Sequence, residues 1–108
     1  MKNKILNMLG LAQKAGRIAS GELAVRNAVK TGKVSYLLIA RDASAASRKS
    51  LSDMAAFRKI PCLVWGTKEE LGQAVGKAER SGIAITDSGF AGRIRIMLEE
   101  ETEGKQGD

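Results

Sequence analysis

The chain contains no histidine, so the commonest general base and metal ligand is missing from any site it builds. Cys62 is its only cysteine, which excludes an internal disulfide and a cysteine-based metal site. It follows Pro61 at the head of the apolar run Cys62-Leu63-Val64-Trp65 and reads as a small buried thiol. Glu69 and Glu70 are adjacent carboxylates, but adjacent helical positions do not face one another. Within Thr67-Lys68-Glu69-Glu70 they match a capping box, in which hydroxyl and carboxylate satisfy the free N–H groups of a helix start. The stretch Gly72 to Lys77 imitates a phosphate-binding loop, yet it is one residue short and no Ser or Thr follows the lysine. Asp42 lies just past an apolar run without an acidic partner nearby in sequence. These residues assemble no catalytic, cofactor or metal site, and a non-catalytic protein is expected.

The basic and small polar residues offer more. Ser20-Gly21 precedes a helix in which Ala24, Val25, Ala28 and Val29 recur at helical spacing. Ser20 is expected to cap that helix, and Glu22 in its first turn suits the positive end of the helix dipole. Gly21 leaves the backbone open to a large partner. Arg26, Asn27, Lys30 and Lys33 face outward. Ser20-Gly21, Arg41-Asp42 and the Lys77–Gly82 loop each fall at an end of the expected sheet. If they share one end, Arg17, Arg26, Lys30, Arg41, Lys68 and Arg80 form one basic surface around the helix start. Such a surface suits phosphates, although any α/β protein can own such a helix. Tyr36, Phe57, Trp65 and Phe90 all occupy core-like positions, which argues against single-strand binding by base stacking and for a structured, double-stranded or kinked shape.

The elements that must position these residues alternate. A first helix carries Ile5, Leu6, Met8, Leu9 and Ala12 on one face and ends at Gly16. A short strand leads into the Gly21 helix. Tyr36 to Ala40 is a continuous apolar run, as expected of a central strand covered on both faces. A surface helix follows from about Ser44 to Arg58, then a second buried strand at Cys62–Trp65. A fourth helix runs from the capping box to Gly76, and a last strand spans Ile83 to Thr86. Asp87 caps a final helix with Phe90, Ile94, Met97 and Leu98 inward. This alternation predicts a mixed or parallel sheet of about four strands between two layers of helices, a three-layer α/β/α sandwich.

The 108 residues suffice for one modest core. Lys and Arg number 18 against 12 Asp and Glu, a net charge of +6. Residues 99–108 hold five of the acids and one base, so residues 1–98 carry 17 bases and 7 acids, net +10. A basic domain over 1–98 with an acidic, disordered tail over 99–108 points to a polyanionic partner, nucleic acid before membrane. The start Met1-Lys2-Asn3-Lys4 imitates a signal peptide, but Asn7, Gln13 and Lys14 interrupt the apolar run after it. No stretch approaches the roughly 20 apolar residues of a membrane span, and a cytoplasmic, reduced, monomeric protein is expected.

Ser20-Gly21, Ala28-Val29-Lys30-Thr31-Gly32 and Leu37-Leu38-Ile39-Ala40-Arg41-Asp42 resemble the kink-turn-binding ribosomal protein superfamily, the archaeal large-subunit type. So do Ile60-Pro61-Cys62 and Thr67 to Gly76. Leu9 to Gly16 and Thr86 to Ala91 look more narrowly like its bacterial YlxQ-like branch. Together they cover roughly residues 5–98.

The resemblance implies the sandwich and non-catalytic binding of structured RNA, kink-turn or ribosomal, by a ribosome-associated protein without cofactor or metal. In the family the second helix reads sheared G·A pairs through a Gly-x-Asn-Glu-x-x-Lys pattern, and a loop before the last strand covers a flipped-out base. Carried over from Gly21, the pattern meets Leu23 at the Asn position, Ala24 at the Glu position and Asn27 at the Lys position. Gly21 and Lys68 match, and Arg80 and Ser81 fall in the covering loop. Leu and Ala cannot make the bidentate bonds that discriminate bases, so Glu22 and Arg26, four apart on one helix face, are expected to substitute with Asn27. The implied contacts are thus Ser20, Gly21, Glu22, Leu23, Arg26, Asn27, Lys30, Arg41, Lys68, Arg80 and Ser81. The alternative is a protein-interaction module on the same scaffold, its basic face meeting an acidic partner. A small ligand-binding or enzymatic α/β domain is a weaker third.

Overall fold

Five helices and four short strands alternate along the chain in a computed structural model that describes residues 2–106, with side chains through residue 101. They are α1 (Lys2–Lys14), β1 (Ile18–Ser20), α2 (Glu22–Lys30), β2 (Tyr36–Ile39), α3 (Ala45–Phe57), β3 (Cys62–Val64), α4 (Lys68–Ala74), β4 (Gly82–Ile85) and α5 (Ser88–Gln106). The strands form one mixed sheet in the order β1-β4-β2-β3. β4 runs antiparallel to both neighbours, pairing Ile18 with Ile85 and Leu37 with Ala84, while β2 and β3 are parallel, with Leu38 opposite Leu63.

Alternation along each strand sends side chains to opposite faces, and each face has its own core. Leu38, Ala40, Ile83 and Ile85 pack with Ile5 and Leu9 of α1, Leu71 of α4, and Ile94 and Leu98 of α5. Leu37, Ile39 and Ala84 pack with Val25 and Val29 of α2, and Leu51 and Ala55 of α3. The result is the expected three-layer α/β/α sandwich. Ser44 caps α3 by accepting from Ser47 N at 3.1 Å, and the Thr67–Glu70 capping box opens α4 with both of its bonds formed. Asp87 caps α5, its Oδ2 accepting from Phe90 N at 2.9 Å.

Three expectations fail. β3 is an edge strand with all three residues exposed, and Cys62 is exposed with it. Its apolar composition reads as a buried centre, but the strand order leaves it one neighbour, and α3 packs against β2 instead. Phe57 is 83 % exposed; it sits two residues past buried Ala55, more than half a helical turn away from the inward face. Residues 99–106, expected as a disordered tail, continue α5. Glutamates are good helix formers, Arg95 Nε lies 3.5 Å from Glu99 Oε1 one turn on, and Trp65 Nε1 donates to Glu101 Oε1 at 2.9 Å. Residues 107 and 108 lie outside the described residues.

Candidate nucleic-acid interface

β1, β2 and β3 all end where β4 begins, so four connections meet at one end of the sheet. They are the β1–α2 junction at Ser20-Gly21, the turn at Arg41-Asp42, the Gly66-Thr67-Lys68 entry to α4, and the segment leading through Arg80 and Ser81 to β4. Hydrogen bonds lace them together. Ala40 N donates to Ser81 O at 2.8 Å, Arg41 N to Gly66 O at 2.8 Å, and Arg80 N to Lys68 O at 3.1 Å. Asp42 Oδ1 accepts from Lys68 N at 2.8 Å, so Asp42 serves as a clamp on the α4 entry. Arg80 is held in turn by its guanidinium, which donates from Nε to Ser20 Oγ at 3.3 Å and from Nη1 to Glu79 O at 3.0 Å.

That last contact overturns the expected cap. Ser20 is the final residue of β1, and its hydroxyl accepts from Arg80 rather than from α2. Gly21 is the N-cap, with φ 89° and ψ 147° and no side-chain hydrogen bond to the helix. Such a backbone is essentially restricted to glycine. Its carbonyl starts α2 by accepting from Val25 N at 2.9 Å. With no side chain capping them, the first amides of α2 are a ready anion site.

Leu23 stands out from the first turn at 73 % exposure, and Asn27, one turn on, is also exposed. Glu22 and Arg26 are exposed but engaged. Glu22 Oε1 accepts from Ser47 Oγ at 2.7 Å, and Arg26 Nη2 donates to Ser50 Oγ at 2.9 Å. Both side chains therefore tie α2 to α3. Ser47 and Ser50 carry no signal in the sequence, since partners 25 and 24 residues away leave no local pattern.

The single basic surface is corrected in two places. Arg17 precedes β1 and accepts from Thr86 N at the opposite end of the sheet. Lys30 is the last residue of α2, about 12 Å along the helix from its start. What the structure brings together is Ser20, Gly21, Arg41, Lys68, Arg80 and Ser81, with Glu22, Leu23, Arg26 and Asn27 on the adjoining turns of α2. Glu22, Asp42 and Glu79 share this end, so its charge is mixed.

The chain matches, over residues 3–94, the model of the Ribosomal protein L7Ae/L30e/S12e/Gadd45 family. It belongs to this family. It is also 30 % identical over 98 residues to the RNA-binding protein YlxQ of Enterococcus faecium, covering 91 % of this chain and 94 % of the relative. The RNA-binding protein YlxQ of Bacillus subtilis (strain 168) is 32 % identical over 92 residues, covering 85 % and 92 %. A solved structure of a protein of unknown function from Bacillus halodurans C superimposes with a TM-score of 0.84 at 35 % identity, covering 89 % of this chain and 97 % of that one. These similarities place the chain in the YlxQ-like bacterial branch of the family. No helix among the described residues is long and apolar enough to cross a membrane.

Proposed function

We propose that the protein binds structured RNA, kink-turn-like or ribosomal, as a non-catalytic, monomeric, ribosome-associated component of the cytoplasm. The observation that carries this reading is the meeting of an uncapped α2 start at Gly21 with Arg80 and Lys68 at one end of the sheet. The names of the two YlxQ relatives support it. RNA phosphates take the open amides and the two cations, while Leu23 and Asn27 face the groove. With Leu23 and Ala24 at the base-reading positions, and Glu22 and Arg26 turned to α3, recognition rests on backbone shape more than on base edges.

The test is a titration with a kink-turn RNA beside one whose G·A pairs are destroyed, each at two salt concentrations. Affinity is expected to fall steeply with salt. The intact kink-turn is preferred, by less than the roughly 1–3 kcal/mol that one bidentate base contact supplies. Salt-independent affinity defeats the phosphate reading. Absence of binding to either RNA at low salt defeats RNA binding as a whole and favours the protein-interaction alternative.

A further inference from the structure

The end of the sheet remote from this site is closed by the 14–17, 30–35, 58–61 and 86–89 connections. Thr86 N donates to Arg17 O, Ser35 N to Ile85 O and Leu37 N to Pro61 O, which holds the four together. They carry Lys14, Arg17, Lys30, Lys33, Arg58 and Lys59, all exposed. None of the six forms an ion pair among the described residues. The one acid in these segments, Asp87, is occupied in capping α5. Like charges gathered at one end without ion-paired partners repel one another, and a bound polyanion relieves that repulsion.

A second observation narrows the partner. Phe57, 83 % exposed, adjoins these cations at the end of α3, and the Arg58 guanidinium carbon lies 5.9 Å from its ring centroid. A phenylalanine held open to solvent beside an arginine is a platform on which an unpaired base stacks while neighbouring cations take its phosphates. The cations also span the width of the sheet, three strand spacings or about 14 Å, enough for consecutive nucleotides. We infer that this end is a second RNA site, which takes single-stranded RNA by phosphate contacts and by base stacking on Phe57. The choice of RNA over other polyanions rests on the function proposed above.

The experiment titrates labelled single-stranded oligoadenylate into the protein, with and without saturating kink-turn RNA. Oligoadenylate is expected to bind in both cases. Joint charge reversal at Lys33, Arg58 and Lys59 to Glu should weaken binding more than tenfold. It should also lower the slope of log affinity against log salt by about 2, at roughly 0.7 for each lost phosphate contact. Phe57→Ala should weaken binding without changing that slope, and Phe57→Trp should restore it; both are surface changes that leave thermal unfolding unaltered. Lys68→Ala with Arg80→Ala should leave oligoadenylate binding intact. The inference is overturned if the charge-reversed protein binds oligoadenylate normally, if the Lys68 and Arg80 changes abolish that binding, or if kink-turn RNA displaces it. Oligoadenylate binding that depends on the basic end, with no affinity for kink-turn RNA, would sustain this site while refuting the first.

Discussion

Gly72→Ala is expected to damage the fold and the proposed RNA site together. Gly72 is buried in α4, where the segment leading to Arg80 crosses it. An added Cβ would lie 2.1 Å from Ala78 O, 2.7 Å from Ala78 C and 3.1 Å from Glu79 Cα. These are backbone atoms, so no side-chain rotation relieves the clash. Ordinary carbon–oxygen contact begins near 3.3 Å, and the segment must retreat by more than about 1 Å. That displacement breaks or stretches Lys77 N–Gly72 O at 2.8 Å and Arg80 N–Lys68 O at 3.1 Å. Two backbone bonds at about 1 kcal/mol each and about 2 kcal/mol of overpacking strain outweigh the 0.5–1 kcal/mol or so gained by removing a helical glycine. The net loss is about 3 kcal/mol, which lowers a urea midpoint by about 1.5 M at a slope near 2 kcal/mol/M. Arg80 is carried away from Ser20, so affinity for structured RNA falls as well. Gly82→Ala is the control: its Cβ would meet Leu51 Cδ1 at 2.9 Å, the movable end of a side chain. Urea unfolding and RNA titration of the two variants decide the matter. A Gly72→Ala protein with an unchanged midpoint and unchanged affinity refutes the reasoning.

Glu70 is held below its ordinary carboxylate pKa by hydrogen bonding to Lys2, with smaller help from Thr67. Its stabilising contribution is therefore complete above its unfolded value, near 4.5, and disappears as pH falls through the lowered folded value. Glu70→Gln, which keeps a capping side chain, should unfold at a lower temperature than the parent at neutral pH, and the gap should close towards pH 3; a gap independent of pH contradicts the assignment. Cys62 is exposed, yet burial pushes its thiol pKa up. A disulfide reagent should modify it in the folded protein, with the rate rising at higher pH than for a free thiol; labelling that needs denaturant would return it to the interior. Leu23→Asn combined with Ala24→Glu restores two polar groups at exposed positions of α2, and should raise discrimination between intact and disrupted kink-turns by about 1–3 kcal/mol. Paired titrations with the two RNAs measure it, and equal discrimination would show that α2 does not face the G·A pairs.

The apolar spacing in Val25-Val29 and Leu51-Ala55 and the unbroken run Tyr36–Ala40 specify helices and a central strand through burial alone, and that much of the fold was legible in the sequence. What escaped depended on contacts distant in the chain. Cys62-Leu63-Val64 has the composition of a covered strand, and only the order β1-β4-β2-β3 puts it at the edge. Ser20 has two donors available, the amides of α2 and the guanidinium of Arg80. The extreme φ of Gly21 moves the cap one residue on and leaves Ser20 to a partner 60 positions away. Charge alone groups Arg17 and Lys30 with the Gly21 end, but the direction of β1 and the length of α2 separate them from it.

On the proposed reading, the same geometry makes the α2 start a weak discriminator of bases that still suits RNA. A side chain that reads a base edge must be free to turn into the groove, and Glu22 and Arg26 are instead bonded to Ser47 and Ser50. Redirecting either costs that bond, and Glu22 would also meet the phosphates with like charge. The hydrogen bonds therefore hold Glu22 and Arg26 against α3. Leu23 then contributes apolar contact, and Asn27 is left as the exposed polar group one turn on. In such an arrangement specificity follows the backbone path that fits around Gly21, Lys68 and Arg80. Replacing Ser47 and Ser50 with Ala frees Glu22 and Arg26, so it should alter RNA preference while leaving every proposed phosphate contact in place.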